Sequence, residues 1–215
     1  MARTPARPAP EPERAAPRLY LLLPPAGTPE EVAAQAEALT AAGRALDIAA
    51  VLVRPGAAAA LQPIVAATHA IGAACLVENN VALAESVGAD GAHLDGPTAL
   101  KGALPALRPH GIAGAGALRS KHDAMTAAET GADYVMFGEP DAGGRRPPFE
   151  ATLERTEWWA QLFEPPCVAY ARALEEVDAL AEAGADFIAV DGLVLDSPVE
   201  GAQALAARLA ALGAD

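Results

Sequence analysis

Three copies of the tripeptide Gly-Ala-Asp each close an alanine-rich stretch and open a short apolar run. They read Gly88-Ala-Asp-Gly-Ala-His-Leu-Asp-Gly96, Gly131-Ala-Asp-Tyr-Val-Met-Phe-Gly-Glu139 and Gly184-Ala-Asp-Phe-Ile-Ala-Val-Asp-Gly192. A glycine at the end of a helical stretch supplies the left-handed residue that helix C-termini favour. The run after it has strand composition and stops at a glycine or a charged residue. The copies start 43 residues apart (88 to 131) and 53 apart (131 to 184), about one or two helix–strand units. A chain so punctuated alternates helix and strand, with its functional loops after the strands.

The rest of the sequence follows the same grammar. Apolar runs predict strands at Arg18–Leu23, Ile48–Val53, Ala74–Val77, Gly91–Leu94, Ile112–Gly116, Tyr134–Phe137, Cys167–Tyr170 and Phe187–Val190. Between them lie helical stretches. The first has Thr28 as N-cap, Pro29 at its first position and Glu30-Glu31 in its first turn. The others end near Gly72, Gly88, Leu107, Thr130 and Ala183, with one carrying Trp158-Trp159 and a last one over Val199–Leu212. Eight continuously apolar strands alternating with eight helices predict an α/β protein whose parallel strands are buried on both faces. A doubly wound open sheet is the competing architecture, but the first turn, Pro24-Pro25-Ala26-Gly27, lacks its glycine-rich nucleotide fingerprint. The expected fold is a single closed (β/α)8 barrel over residues 18–215, a length common for such barrels.

Of 215 residues 52% are hydrophobic and only 4% aromatic, so the core should be mainly Ala, Leu, Val and Ile. Cys75 and Cys167 sit in apolar runs and read as small buried hydrophobes rather than a redox pair. A net charge of −13 argues against nucleic acid or anionic membrane as partner. No run reaches the roughly 18 apolar residues of a membrane span. Residues 1–17 hold five prolines and no apolar core of a secretory signal, and are expected to form a disordered Pro/Arg-rich tail in a cytoplasmic protein. Trp158 and Trp159 cannot both face inward; one reads as core and the other as a candidate subunit contact, leaving a homo-oligomer open.

In barrels of this kind the chemistry sits where strands end. Glu78, Asp95, Glu139 and Asp191 close four different strands, a hard-oxygen set suited to Mg²⁺ or, equally, four solvated loop residues. Arg54, Arg119, Lys121, Arg145, Arg146 and Arg172 supply guanidinium and ammonium groups for phosphate or pyrophosphate. Arg145-Arg146 follows Gly143-Gly144 in a loop that would fold over a ligand as a lid or remain a surface loop. His93 is read either as a site residue or as a satisfied barrel-interior histidine.

Read together, these strands resemble the thiamine phosphate synthase and thiazole tautomerase family of TIM barrels. The resemblance rests on Asn79-Asn-Val-Ala-Leu-Ala-Glu-Ser-Val-Gly-Ala-Asp-Gly-Ala-His-Leu94 and on Gly131-Ala-Asp-Tyr-Val-Met-Phe-Gly138, and it spans Leu19 to about Ser197. It implies a reaction that joins an aminopyrimidine diphosphate to a thiazole phosphate and releases pyrophosphate with Mg²⁺, through a pyrimidine carbocation. It implies Arg119 and Lys121 as catalytic residues. Arg54, Asn79, Asn80, His93, Gly138, Arg172 and Gly192 would bind substrate and phosphate, and Asp95 and Glu78 the metal.

Several positions depart from the family pattern. Asn79 stands where a metal-binding Asp is expected, and Thr98 where the second is, with Asp95 close by. Arg54 alone remains of Gln-Leu-Arg-x-Lys. Arg119 replaces the histidine after strand five that a tautomerase would use, and Asp141-Ala-Gly-Gly-Arg-Arg-Pro-Pro148 replaces a Thr/Lys-rich loop. The Gly-Gly after strand seven is Ala171-Arg172. Asp191 follows strand eight, where a charge about 5 Å from a phosphate would repel it by roughly 3 kcal/mol at an effective dielectric near 20. Three readings stay open: an active synthase with a substituted site, a barrel with a changed substrate around an acidic centre, and a non-catalytic barrel that binds a thiamine-related ligand or a partner protein.

Overall fold

The computed structural model describes residues 16–57 and 60–212; the expected tail falls outside them except for residues 16 and 17. The strands are β1 (Arg18–Leu23), β2 (Ile48–Val53), β3 (Ala74–Glu78), β4 (Gly91–Asp95), β5 (Ile112–Gly116), β6 (Tyr134–Phe137), β7 (Cys167–Tyr170) and β8 (Phe187–Val190). Each pairs in parallel with the next, and β8 pairs back with β1 from Arg18↔Phe187 to Leu21↔Val190, closing the barrel. The open-sheet alternative is thereby excluded.

Helices α1 (Pro29–Ala42), α2 (Gln62–Ala70), α3 (Val81–Val87), α4 (Gly96–Leu107), α5 (Lys121–Thr130), α6 (Phe149–Leu162) and α7 (Leu174–Glu182) follow strands one to seven. The expected cap of α1 is a full capping box: Glu31 N–H donates to the Thr28 hydroxyl, and the Glu31 carboxylate accepts from Thr28 N–H. After β8 come two helices where one was expected, the single turn α8 (Gly192–Leu195) and then α9 (Glu200–Leu212). Four residues show no helical periodicity, so α8 leaves no signal in the sequence.

The repeated Gly-Ala-Asp acquires a mechanical meaning. Gly88, Gly131 and Gly184 all have positive φ and end α3, α5 and α7. The aspartates then clasp the bottom of the barrel. The Asp90, Asp133 and Asp186 carboxylates accept the backbone N–H of Cys75, Ala113 and Cys167, at 2.7, 2.7 and 2.8 Å. Each aspartate thus ties the strand it precedes to the start of the strand before. Asp47, ahead of β2, takes the same place by binding Arg18 at the head of β1 through two 3.0 Å bonds.

Alternation along each strand separates two cores. Leu19, Leu21, Val51, Val53, Cys75 and Val77 face the helices, as do Ala92 and Leu94 of β4 and Ile188 and Val190 of β8. Tyr20, Leu22, Leu52, Leu76, Tyr134, Met136, Tyr170 and Ala189 fill the barrel interior. The outer core is aliphatic as expected, but all three tyrosines of the chain lie in the interior. Their room comes from β5: a Cβ on Gly114 would stand 2.1 Å from the Tyr134 ring. Both cysteines are buried, and desolvation pushes the Cys75 thiol up to about 12, consistent with an inert core residue. Trp159 is the buried member of its pair and donates to the Pro165 carbonyl. Trp158 packs on Trp159 and Phe163 under the Lys121 ammonium. Among the described residues no helix is long and apolar enough to cross a membrane.

Candidate active site

The C-terminal mouth of the barrel is crossed by the segment between β6 and α6. Arg54, rising from the end of β2, donates to the Pro140 carbonyl at 3.0 Å and to Glu78 Oε1 at 3.2 Å. Further along, Arg146 forms a two-pronged ion pair with Glu176 of α7, at 2.8 and 2.6 Å. The Arg172 guanidinium reaches the Gly144 carbonyl at 3.4 Å. The strap so pinned separates two cavities of about 600 and 540 Å³, with Glu78 and Pro140–Ala142 lining both.

The larger cavity opens over β3 to β6. Its floor is a buried polar chain: Tyr20 Oη lies 2.7 Å from Tyr134 Oη, which lies 2.8 Å from His93 Nδ1. Burial drives the His93 imidazole down to about 3, so the ring is neutral. If Tyr20 donates to Tyr134 and Tyr134 to Nδ1, every hydroxyl hydrogen of the chain is placed and the ring proton sits on Nε2. Beside His93 stands Glu139. A Cβ on Gly116 would lie 2.2 Å from His93 Nε2 and 2.6 Å from Glu139 Oε1, so the missing side chain leaves room for both groups. Glu139 Oε1 accepts the Ala117 N–H, and Ala117 holds φ +51° to aim it. An alanine in that conformation stores about 1 kcal/mol or more of strain. Desolvation raises the Glu139 carboxyl to about 7, against the lowering effect of the backbone hydrogen bonds.

The wall of the cavity also carries acids and guanidinium groups. Desolvation raises the Glu78 carboxyl, Arg54 opposes this, and the nearby Asp95 charge adds to it. Asn79, also at positive φ, fixes the β4 exit by accepting the Asp95 N–H on Oδ1 at 2.8 Å. Arg119, Arg145 and Arg155 face this cavity. Arg155 is tied to the carbonyls of Leu118 and Arg119, and Arg145 to Asp141. Arg119 is exposed and has no ion pair among the described residues.

The smaller cavity lies toward β7, β8 and α8. Asp191 sits at the N-terminus of α8, where its Oδ1 accepts the Gly192 N–H at 2.6 Å. The Tyr170 hydroxyl donates to the same carboxylate at 2.9 Å, and burial followed by that charge raises the tyrosine's pKa. Arg172 and Asp196 complete this end.

Of the residues read from the sequence, Glu78, Asn79, His93, Asp95, Arg119 and Gly138 line the larger cavity. Arg54, Arg172 and Gly192 line the smaller one, which Glu78 shares. Two lie elsewhere. Asn80 caps α3 through Leu83 N–H, and Lys121 turns to Glu154 at 2.8 Å and to the Trp158 ring. Among the described residues no three His, Cys, Asp or Glu side chains cluster to hold a metal. Sequence reasoning placed Glu139 at the mouth as one acid of four. Its place near His93 rests on Gly116, whose closing of β5 is the only signal in the sequence.

The sequence model of the thiamine monophosphate synthase family matches residues 19–192. A thiamine-phosphate synthase of Erythrobacter litoralis (strain HTCC2594) is 40% identical over 166 residues, 72% of this chain and 76% of that protein. One of Rhodospirillum centenum (strain ATCC 51521 / SW) is 37% identical over 201 residues, 88% of this chain and 94% of that protein. The solved structure of a thiamine phosphate pyrophosphorylase from Pyrococcus furiosus shares the fold, with a TM-score of 0.70 at 20% identity over 91% of this chain and 96% of that one. The matched region runs from the first barrel strand to the start of α8 and holds the whole lining of the larger cavity, and the chain belongs to the thiamine monophosphate synthase family.

Proposed function

We propose that this chain is a thiamine-phosphate synthase, joining an aminopyrimidine diphosphate to a thiazole phosphate and releasing pyrophosphate. The observation that carries the reading is the larger cavity: a flat-ring-sized floor of His93 and Glu139 beneath guanidinium groups able to take a diphosphate. Arg119, with no carboxylate holding it, is the cation free to meet the leaving group. The His93 Nε2–H, neutral at every working pH, offers one more donor. The second cavity takes the thiazole phosphate. Its phosphate is held there by Arg172 and Arg54, because Asp191 already occupies the Gly192 N–H.

Mg²⁺ fits the donor set in part. Glu78 and Asp95 leave adjacent strands; burial is the main cause that raises the Glu78 carboxyl, and the Asp95 charge adds a smaller part that a cation would relieve. Two carboxylates plus phosphate oxygens and water are a usual Mg²⁺ environment. When bound, the ion neutralises charge on the departing pyrophosphate. The chain's own residues orient the diphosphate, keep water from the cation and set the acceptor nitrogen in line with the breaking C–O bond. Such a biosynthetic enzyme works in the cytoplasm. Purified protein given both precursors and Mg²⁺ should release stoichiometric pyrophosphate and complement a thiamine auxotroph. No turnover at high enzyme concentration would reject the reading.

A further inference from the structure

We infer that Glu139 is a catalytic residue, accepting a hydrogen bond from the exocyclic amino group of the aminopyrimidine and providing the counter-charge as the ring becomes cationic. The inference rests on the synthase reading above and assigns a role to a side chain which that reading leaves unused.

Three observations carry it. The carboxylate stands in the cavity beside neutral His93, with the Ala117 N–H on one oxygen and no cationic side chain in ion-pair distance among the described residues. A partly buried carboxylate without such a partner loses part of its hydration, and a ligand that brings N–H donors makes up for it. Second, exposure rises from His93, 1% exposed, to the exposed Arg119 and Arg145 at the opening. A substrate with an anionic tail and a flat, N–H-bearing head therefore enters in one direction, tail outward and head on Glu139. Third, Ala117 is strained and Gly116 is bare at the spot that brings the carboxylate and imidazole together. Strain held at such a place is a mark of pre-organisation.

The chemistry balances without a proton leaving the enzyme. The C–O bond to the diphosphate breaks and its electron pair departs with pyrophosphate. The positive charge left on the methylene carbon spreads to the amino nitrogen, whose N–H then binds a carboxylate more strongly. The lone pair of the thiazole nitrogen forms the new C–N bond. Glu139 remains a carboxylate throughout, acting on the ground state through the amino hydrogen bond and more strongly on the charge that develops.

Glu139→Gln keeps the shape and removes the charge, and an unchanged melting temperature will show that it folds. Pyrophosphate release by the variant should fall about a hundredfold in kcat, the size seen when one such group is lost. Its KM for the diphosphate should also rise, by roughly tenfold, because the contact to the amino group is lost in the bound substrate too. Calorimetry with the aminopyrimidine alcohol, which lacks the diphosphate, should show at least tenfold weaker binding to Glu139→Gln. Inorganic pyrophosphate should bind the variant at least as well as the wild type. Glu139→Asp should recover part of kcat. Equal binding of the alcohol by wild type and Glu139→Gln, or no binding by wild type, overturns the inference. Wild type that binds the alcohol through Glu139 but turns nothing over refutes the synthase reading alone.

Discussion

The Asp191 carboxylate lies on the backbone N–H of Gly192 at 2.6 Å, so the protein's own anion fills the helix N-terminus that a ligand phosphate would use in many barrels of this architecture. Tyr170 holds it there through its hydroxyl. Asp191→Asn keeps an oxygen on that N–H but removes the like charge. Inorganic phosphate and thiazole phosphate should each bind the variant about tenfold more tightly, roughly 1.4 kcal/mol and well below the full Coulomb term because the cavity is wet. Calorimetric titration of the two proteins checks this; equal affinities would show that Arg172 already cancels the charge.

Gly114 is the space Tyr134 occupies. Replacing it with alanine puts a methyl 2.1 Å from the ring, and the ring cannot yield without breaking its bonds to Tyr20 and His93. Overpacking of this kind costs about 1–3 kcal/mol. Urea unfolding of Gly114→Ala should show the loss, and turnover should fall with it because His93 loses its fixed tautomer.

The aspartate clasps are testable at Asp133, which accepts Ala113 N–H and is gripped by Arg108 through two bonds of 3.0 and 3.1 Å. Asp133→Ala leaves the Ala113 N–H unpaired and should cost about 1–2 kcal/mol. At roughly 2–4 °C per kcal/mol for a chain of this size, thermal melts will resolve it. Substrate KM should not change, since the clasp lies at the opposite end of the barrel from the site.

Stability should depend on pH through Glu139. Burial raises its carboxyl to about 7 in the folded protein, above the ordinary 4.5 of a free glutamate. The folded state therefore holds the proton more tightly, and stability falls as pH rises from about 4.5 to 7. The full effect is at most about 3 kcal/mol. Glu78, also raised, acts with the same sign. Urea midpoints of wild type should drop across this window more than those of Glu139→Gln; parallel curves would mean that water solvates the carboxylate.

Freeing the strap gives a further test. Glu176→Gln removes the negative partner of Arg146, a pair whose side chains are only 18% and 15% exposed. Limited proteolysis within residues 141–147 should speed up several-fold, because a segment's cleavage follows its local opening. An unchanged rate would place the hold on Arg54 and the Pro140 carbonyl instead.

The succession of strands and helices was legible in the chain because it depends on local signals. Apolar runs, proline and positive-φ glycine act over a few residues, and six of the eight expected strand spans agree with the structure at both ends, β3 and β4 running one residue further. Family membership was legible for the same reason, since Gly-Ala-Asp strands are scaffold. The candidate site was only half legible. That Glu78, Asp95, Glu139 and Asp191 end strands was plain, but not that Arg54 engages one, Ala117 another and Tyr170 a third.

By itself, then, the sequence determined the barrel and the residues that gather at its mouth. Tertiary structure alone decided what each of those residues can do. A carboxylate's chemistry is set by its solvation and by the donors within 3 Å, and those come from strands dozens of residues away. Glu139 is desolvated by a strand whose Gly116 makes room for it, Lys121 is drawn aside by a helix thirty-three residues on, and Asp191 is claimed by the turn it begins.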